Sequence, residues 1–168
     1  MSNGPFAAVV RDDASAPFFD AANDGRLALR RCSDCGHVRG PEVPMCTECL
    51  SEMFEWFTSV GTGHVESWVV LHSRAGADGM VPEPRVVATI ELAEGPWMVS
   101  ALLGIEPSAI TGDMAVRVAF ERPAGSEAIP VFRPATATSE TTPENVATPA
   151  NEATPTNATG PSTPATPA

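Results

Sequence analysis

Lysine is absent from this 168-residue sequence: all ten basic residues are arginine, against 21 acidic residues and a net charge of −11. Proteins that wrap the nucleic-acid backbone neutralise phosphates with a surplus of basic residues, which this chain does not have. The composition therefore argues against a general nucleic-acid-binding protein. It says nothing about the fold, because acidic proteins occur in every fold class.

Long apolar runs are also missing. No stretch approaches the roughly 20 apolar residues that a membrane-spanning helix needs, and the first residues, MSNGPFAAVVRDD, lack the charged start and apolar run of a signal peptide. We therefore predict a cytoplasmic protein that does not cross a membrane. In that reducing compartment, a tight cysteine pattern more often binds a metal than forms disulfides.

The last part of the chain lacks aromatic residues. Residues 135–168 contain ten threonines, eight alanines and six prolines, and most of the prolines recur every six residues. Because this segment has no apolar face to stack, it cannot supply a core, and we predict a disordered tail. The core must then come from residues 1–134.

Common catalytic motifs are missing as well. The sequence has no G-x-S-x-G, no Walker motif and no H-E-x-x-H, and Gly61-Thr62-Gly63 has the character of turn glycines rather than a phosphate loop. His64 and His72 would face the same side of a regular strand, but no nucleophile or carboxylate can be assigned to them. We therefore predict that the chain has no catalytic centre of its own.

The sequence does contain a helix signal followed by many short strand signals. The segment APFFDAANDG predicts a short helix from Ala16 that ends at Gly25, with Phe18 and Phe19 on one side. Further on, β-rich runs alternate with Gly, Pro and Asp turns, and they cover residues 54–60, 64–72, 85–92, 97–103, 115–120 and 129–132. Five or six strands of this length favour a small closed barrel over a two-sheet sandwich.

Four cysteines form the strongest chemical motif. Cys32-x2-Cys35 and Cys46-x2-Cys49 are separated by ten residues, so four thiolates can close a tetrahedral shell around Zn²⁺ in a short rubredoxin-like ribbon. We predict structural Zn²⁺; iron in the same shell, or two reactive dithiols or disulfides, are the alternatives. His37 follows a complete set of four ligands and is predicted to be an ordinary exposed histidine.

With these motifs in order, the chain resembles a family of bacterial and archaeal acyl-CoA-associated proteins in which a zinc ribbon precedes an OB-fold. The ribbon CSDCGHVRGPEVPMCTEC is followed by G-x-G-x-V, E-L-x-E-G-P and P-V-F-R-P, and the resemblance extends from about Ala16 to Pro134. The ribbon alone would be unspecific. The order of the four motifs makes the resemblance specific.

The resemblance implies a mainly β fold. We predict an N-terminal segment with a short helix at 1–26, a rubredoxin-like zinc ribbon at 27–52, a five- to six-stranded OB-fold barrel at 53–134 and the disordered tail at 135–168. Members of this family are usually non-catalytic partners of thiolase-fold enzymes or hot-dog-fold hydratases in acyl-CoA metabolism, including steroid degradation. The resemblance therefore implies an accessory subunit, not an enzyme, that binds such a partner and supports acyl-CoA binding.

An arginine-rich stretch lies in and around the ribbon. Arg26, Arg30, Arg31 and Arg39 fall within fourteen residues, with Asp34 as the single acid among them. Because arginine pairs bidentately with phosphate, we predict that Arg30, Arg31 and Arg39 bind CoA phosphates or an acidic partner surface. The alternative is a solvated face that balances nearby acids.

The aromatic residues allow two interpretations. Phe18 and Phe19 are predicted partner contacts, and the alternative is that they pack on the chain's own core. Trp56, Phe57, Trp68 and Trp97 could instead form a stacking platform, which would make the chain a zinc-stabilised OB-fold nucleic-acid-binding protein. The acidic net charge and the absence of lysine favour the accessory-subunit hypothesis.

Overall fold

A computed structural model of the chain describes residues 8–76 and 79–135. Within those residues it contains one α-helix, one 3-10 turn at Pro107–Ala109 and eight β-strands. The helix is α1 (Ala16–Asn23), and the strands are β1 (Ala28–Cys32), β2 (Val38–Arg39), β3 (Phe54–Thr58), β4 (Thr62–Leu71), β5 (Arg85–Leu92), β6 (Trp97–Leu102), β7 (Ala115–Glu121) and β8 (Ile129–Pro134). The mainly β prediction is confirmed.

The helix ends in a Schellman motif. The Gly25 amide donates to the Ala22 carbonyl (3.0 Å), and the Arg26 amide donates to the Ala21 carbonyl (2.8 Å). Gly25 has a φ of 74°, a conformation that glycine adopts without steric cost. The predicted helix and its end are therefore confirmed.

The first three strands form an antiparallel sheet in the order β2-β1-β3, which we call the ribbon sheet. Arg30 of β1 lies opposite Arg39 of β2 and Trp56 of β3, and Cys32 lies opposite Phe54. Successive side chains of a strand point to opposite faces, so this register places Arg30 and Cys32 on one face of the sheet. The first cysteine pair therefore follows directly from the end of a paired strand.

The remaining five strands form a closed barrel in the order β4-β5-β6-β8-β7. The pairing of β7 with β4 closes it, and β6 and β8 meet in parallel at Leu102 and Phe132. This is the five-stranded Greek-key barrel of the OB-fold. The sixth strand that the sequence allowed, over residues 54–60, is not in the barrel, because β3 pairs with β1 along its whole length.

Close backbone contacts explain the glycines at the start of β4. A Cβ on Gly63 would clash with the Glu91 carbonyl oxygen of β5, and a Cβ on Gly61 would clash with the Val118 side chain of β7. Gly61 also has a φ of 71°. These glycines therefore allow β4 to approach both neighbours, and neither lies at the start of a helix as a phosphate loop would require.

β4 contains an irregularity that the sequence pattern did not predict. Its pairing with β5 shifts by one residue between Val65 and Ser67, which is a β-bulge. A bulge reverses the alternation of side chains beyond it. His64 and His72 therefore do not share a face in the way that a regular strand would require.

One apolar core connects the helix, the ribbon sheet and the barrel. Val65, Ile90 and Phe132 fill the barrel interior and are completely buried. The same cluster includes Leu29 at the start of β1 and Phe18 of α1. One end of the ribbon sheet is thus held by the barrel core, and the other end contains the cysteines.

The predicted disordered tail at 135–168 lies outside the described residues, apart from Ala135. The Ala135 amide donates to the Ala115 carbonyl of β7 (2.9 Å), so this residue extends the pairing of the barrel. Within the described ranges, no helix is long and apolar enough to cross a membrane.

Candidate metal centre

The structure brings the four cysteines together at the end of the ribbon sheet that is far from the barrel core. The Sγ atoms of Cys32, Cys35, Cys46 and Cys49 all lie within 4.8 Å of one another. Cys32 and Cys49 are 3.5 Å apart, and Cys35 and Cys46 are 3.6 Å apart. Cys32 and Cys46 are buried, whereas Cys35 and Cys49 face solvent.

These distances fit a tetrahedral metal ion. With Zn–S bonds of about 2.3 Å, the sulfurs of a tetrahedral site lie about 3.8 Å apart, close to the two separations above. Four thiolates complete the shell, so no position remains for water or substrate, and the metal has a structural role. Among the described residues, this is the single cluster of three or more side chains that could hold a metal.

Two similar turns hold the cysteines. In the first, the Gly36 amide donates to the Cys32 carbonyl (2.9 Å); in the second, the Leu50 amide donates to the Cys46 carbonyl (2.9 Å). Each turn ends with a positive φ, 77° at Gly36 and 61° at Leu50. A leucine in this conformation costs about 1–2 kcal/mol, which makes the second turn the unusual one.

Neighbouring amides and thiols divide the thiol pKa values into two groups. Burial acts to raise the pKa of Cys32, but the amides of Cys35 and Asp34 and the neighbouring thiols donate to its sulfur and lower its pKa to about 7. The Ser51 amide acts to lower the pKa of Cys49, yet hydrogen bonds shared with the Cys35, Cys32 and Cys46 thiols, together with partial desolvation of the sulfur, raise that pKa to about 12.

The other two thiols divide in the same way. An amide hydrogen bond from Cys49 lowers the pKa of Cys46. The His37 amide acts to lower the pKa of Cys35, but partial desolvation of the sulfur and hydrogen bonds shared with the Cys46 and Cys32 thiols leave it raised. Four adjacent thiolates repel one another, so a divalent cation is what allows all four to be ionised together.

Arg30, a predicted phosphate ligand, is built into the ribbon. Its guanidinium carbon lies 4.4 Å from the centroid of the Phe54 ring and 5.5 Å from that of Trp56. Its Nη1 donates to the Val43 carbonyl (3.1 Å), and its Nε is buried without a partner among the described residues. This geometry favours a structural role over phosphate binding for Arg30.

The other two predicted arginine ligands lie on different faces. Arg31 points away from Arg30, stacks 4.4 Å from the centroid of Phe57 and is exposed. Arg39 lies opposite Arg30 in the register, and its Nη1 donates to the Thr47 hydroxyl. The alternation of β1 therefore separates Arg31 from the other two, and the three do not form one patch.

The two predicted partner contacts on α1 also differ. Phe18 is buried in the chain's own core, as the alternative interpretation expects, and it packs edge-to-face against Phe19 with ring centroids 5.2 Å apart. Phe19 is half-buried against the same core. With the helix in place, Phe18 faces the interior, and a partner role remains a prediction for Phe19 alone.

Sequence reasoning missed the apolar surroundings of the metal centre. Met45, Leu50 and Met53 each lie beside a cysteine turn, and all three side chains are exposed. In the sequence, Met45 precedes Cys46, Leu50 follows Cys49 and Met53 directly precedes β3. Large apolar residues are unusual in short polar turns, so these three positions were a signal that the sequence offered. Their exposure could be decided only by the structure.

Sequence reasoning also missed how the linker between ribbon and barrel is held. Glu94, in the turn between β5 and β6, accepts a hydrogen bond from the Val60 amide (2.7 Å). The Ser59 hydroxyl accepts another from the Gly61 amide (2.9 Å). These contacts fix the chain between β3 and β4, and no local signal pairs Glu94 with a residue 34 positions earlier.

Comparison with known proteins identifies both parts of the chain. The family model of the rubredoxin-like zinc ribbon domain of ChsH2 matches residues 19–55, and that of the C-terminal OB-fold domain of ChsH2 matches residues 56–121. A solved structure described as "Ltp2-ChsH2(DUF35) aldolase" contains a similar chain, with 36% identity and a TM-score of 0.65. The similarity covers 78% of this chain and 100% of that one.

Curated relatives agree with this result. A probable enoyl-CoA hydratase alpha subunit from Thermomonospora curvata is 37% identical over 139 residues, which is 82% of this chain. A DUF35 domain-containing scaffold protein from Pyrococcus furiosus is 32% identical over 94 residues, covering 55% of this chain and 67% of the relative. The chain spans 42% of the length of the hydratase subunit.

The similarities and the geometry agree on the cofactor. A rubredoxin-like zinc ribbon matches the segment that contains all four clustered cysteines, so the prediction of a structural zinc ion is confirmed. The recognised zinc ribbon and OB-fold together cover residues 19–121. This chain therefore belongs to the DUF35 family, with a ChsH2-type zinc ribbon followed by a ChsH2-type OB-fold domain.

Proposed function

We propose that this chain is a non-catalytic accessory subunit that binds a thiolase-fold or hydratase enzyme and supports its binding of acyl-CoA. The observation that carries the proposal is the similarity over 100% of a chain in the complex described as Ltp2-ChsH2(DUF35) aldolase. The word "scaffold" in the name of the Pyrococcus relative supports a structural role in an assembly. The hydratase subunit from Thermomonospora supports acyl-CoA as the substrate class.

The metal centre supports an accessory role rather than catalysis. Its four sulfur ligands leave no open position at which a metal could polarise a carbonyl or activate water. The ion instead stabilises a ribbon whose cysteine end has little apolar core of its own. The reduced thiolates that this requires persist in the cytoplasm, which is the compartment we propose.

For the contact with CoA phosphates, the proposal rests on Arg31 and Arg39 more than on Arg30. The Arg31 guanidinium is exposed, and its ion pair with Glu55 is long at 4.0 Å. An exposed pair of this kind is weak, so Arg31 can exchange it for a phosphate at little cost. Arg30 would first have to leave Phe54, Trp56 and Val43.

The test begins with the untagged chain purified from its source organism, followed by identification of what co-purifies. The captured subunit is then expressed alone, mixed with the zinc-loaded full chain, and analysed by size-exclusion chromatography with light scattering. We expect a hetero-oligomer with a thiolase-fold or hydratase enzyme, and no acyl-CoA turnover by this chain alone.

Two results would contradict the proposal. One is a chain that turns over acyl-CoA without a partner. The other is a chain that stays monomeric beside every such enzyme and binds single-stranded DNA with a steep salt dependence, which would favour the nucleic-acid-binding alternative.

A further inference from the structure

The two cysteine turns of the ribbon differ at one position. Gly36 and Leu50 close equivalent turns, with equivalent amide-to-carbonyl hydrogen bonds of 2.9 Å and positive φ values of 77° and 61°. Glycine satisfies this backbone conformation without strain, as Gly36 shows, whereas leucine does not. Folding alone therefore does not explain a leucine at position 50.

Leu50 is also highly exposed, and it is not alone. Its side chain is 70% exposed, that of Met53 is 64% exposed and that of Met45 is 42% exposed. Met45 precedes Cys46, Leu50 follows Cys49, and the Met53 carbonyl accepts a hydrogen bond from the Ser33 amide of the first turn (2.9 Å). We call these three side chains the apolar collar, because all of them flank the metal centre.

The exposed charged side chains around the apolar collar are mainly acidic. Glu42, Glu48 and Glu52 are exposed, and none of them takes part in an ion pair between described residues. The sequence has no arginine or lysine from residue 40 to residue 73, and the nearby Arg39 and Arg30 donate to the Thr47 hydroxyl and the Val43 carbonyl. A second copy of this chain would bring mainly acidic groups together, and nucleic acid would meet an acidic surface, so we expect the complementary surface to carry lysine or arginine.

We propose that the apolar collar is the surface through which this chain docks on its enzyme subunit, inserting Leu50 and Met53 into an apolar depression rimmed by lysine or arginine. The inference rests on the proposed function and deepens it by naming the contact surface. Exposed apolar anchors surrounded by charge are typical of protein interfaces. A rigid metal turn also presents its anchors with little loss of conformational entropy on binding.

A second exposed apolar surface lies on the barrel and serves as the comparison. Val69 of β4 and Trp97 and Val99 of β6 are exposed there, on either side of the half-buried Val87 and Thr89 of β5. The edges of this surface carry both signs of charge, Arg85 and Glu91. This barrel surface therefore favours neither an acidic nor a basic partner. None of its residues has a positive φ either.

The deciding variant is Leu50→Gly. Glycine removes the side chain and suits the positive φ, so we expect zinc content and melting temperature to be unchanged or slightly higher. Affinity for the purified partner subunit identified by co-purification should fall at least about tenfold. A purely structural role for Leu50 would not weaken binding while leaving stability intact.

Two further variants complete the design. Met53→Gln keeps the length of the side chain and should also weaken binding, whereas Val99→Thr, at an equally exposed barrel position, should bind like the wild type. Binding is measured by isothermal titration calorimetry with the zinc-loaded full chain. Wild-type affinity for Leu50→Gly and Met53→Gln would overturn the inference, and so would an equal loss for Val99→Thr, which would assign docking to the barrel.

The charge argument has its own test. Affinity of the wild type should fall as NaCl rises from about 0.05 to 0.5 M, and Glu48→Lys should slow association about tenfold at low salt. Salt-independent binding would overturn the basic rim. A wild-type chain that binds no acyl-CoA enzyme would overturn the proposed function together with this inference, whereas binding that ignores the collar variants would overturn the inference alone.

Discussion

Among single residues, the four cysteines have the largest predicted effect on stability. Cys46→Ser should lose stoichiometric zinc and unfold the cysteine end of the ribbon, because apparent zinc binding in such modules contributes about 10–16 kcal/mol. Zinc is measured by elemental analysis, and unfolding by circular dichroism. Ser33→Ala, between two ligands of the first turn, is the control and should retain the metal. A serine variant with one zinc per chain would contradict the assignment of Cys46 as a ligand.

The divided thiol pKa values predict how zinc affinity depends on pH. Cys49, whose pKa is raised to about 12, and Cys35, whose pKa is also raised, are protonated at neutral pH until the metal binds. Zinc binding must therefore release protons, so affinity should rise with pH above 7 and fall below it. Chelator competition between about pH 6 and 8 measures the trend. An affinity independent of pH would show that the thiols are already ionised.

Arg30 and Arg31 are adjacent in sequence but should differ in their effect on stability. Arg30→Ala loses the stacking on Phe54 and Trp56 and the hydrogen bond to Val43, and should cost about 2 kcal/mol of unfolding free energy. Arg31→Ala removes an exposed contact and should cost about 0.5 kcal/mol. Urea denaturation of the zinc-loaded chain compares them. Equal losses would contradict the structural role of Arg30.

At the scale of elements, the end of α1 depends on one backbone conformation. Gly25→Ala should cost about 1–2 kcal/mol, because its φ of 74° is unfavourable for alanine. An added methyl group would meet no atom within 4 Å, so steric clash does not contribute. Gly112→Ala has the same free space without a positive φ, and should be neutral or stabilising by up to about 1 kcal/mol. Similar losses for both variants in urea denaturation would exclude the Schellman explanation.

The elements also show where sequence patterns are informative. Short β-rich runs bounded by glycine and proline located every barrel strand, because alternation and turn residues are local properties. Pairing is not local. The run that begins at Phe54 is as β-rich as the barrel strands, and only its hydrogen bonds with β1 assign it to the ribbon sheet.

For the whole molecule, removal of residues 136–168 should leave stability essentially unchanged. The segment has no aromatic residue and few large apolar ones, so little apolar burial would be lost. Ala135 is kept because its amide pairs with Ala115. We expect the melting temperature of the zinc-loaded truncated chain to remain within about 3 °C of that of the full chain. A larger decrease would show that the removed segment packs on the barrel.

The sequence by itself determined the metal centre, the helix and the family. Two Cys-x2-Cys pairs specify a four-thiolate shell almost independently of context, because the ligands of each pair are placed by one short turn. Gly25 similarly marks the end of a helix through its own conformational freedom. Both are properties of a few adjacent residues.

Tertiary structure alone decided which of the predicted surface residues are available. Arg30, Arg31 and Arg39 are close in sequence, but strand alternation separates Arg31 from the other two, and aromatic packing occupies Arg30. Burial likewise removes Phe18 from the surface, whereas the side chain of Leu50 is exposed beside the metal centre. Exposure depends on what the rest of the chain packs against each side chain, and that is a sum over distant contacts that no local pattern records.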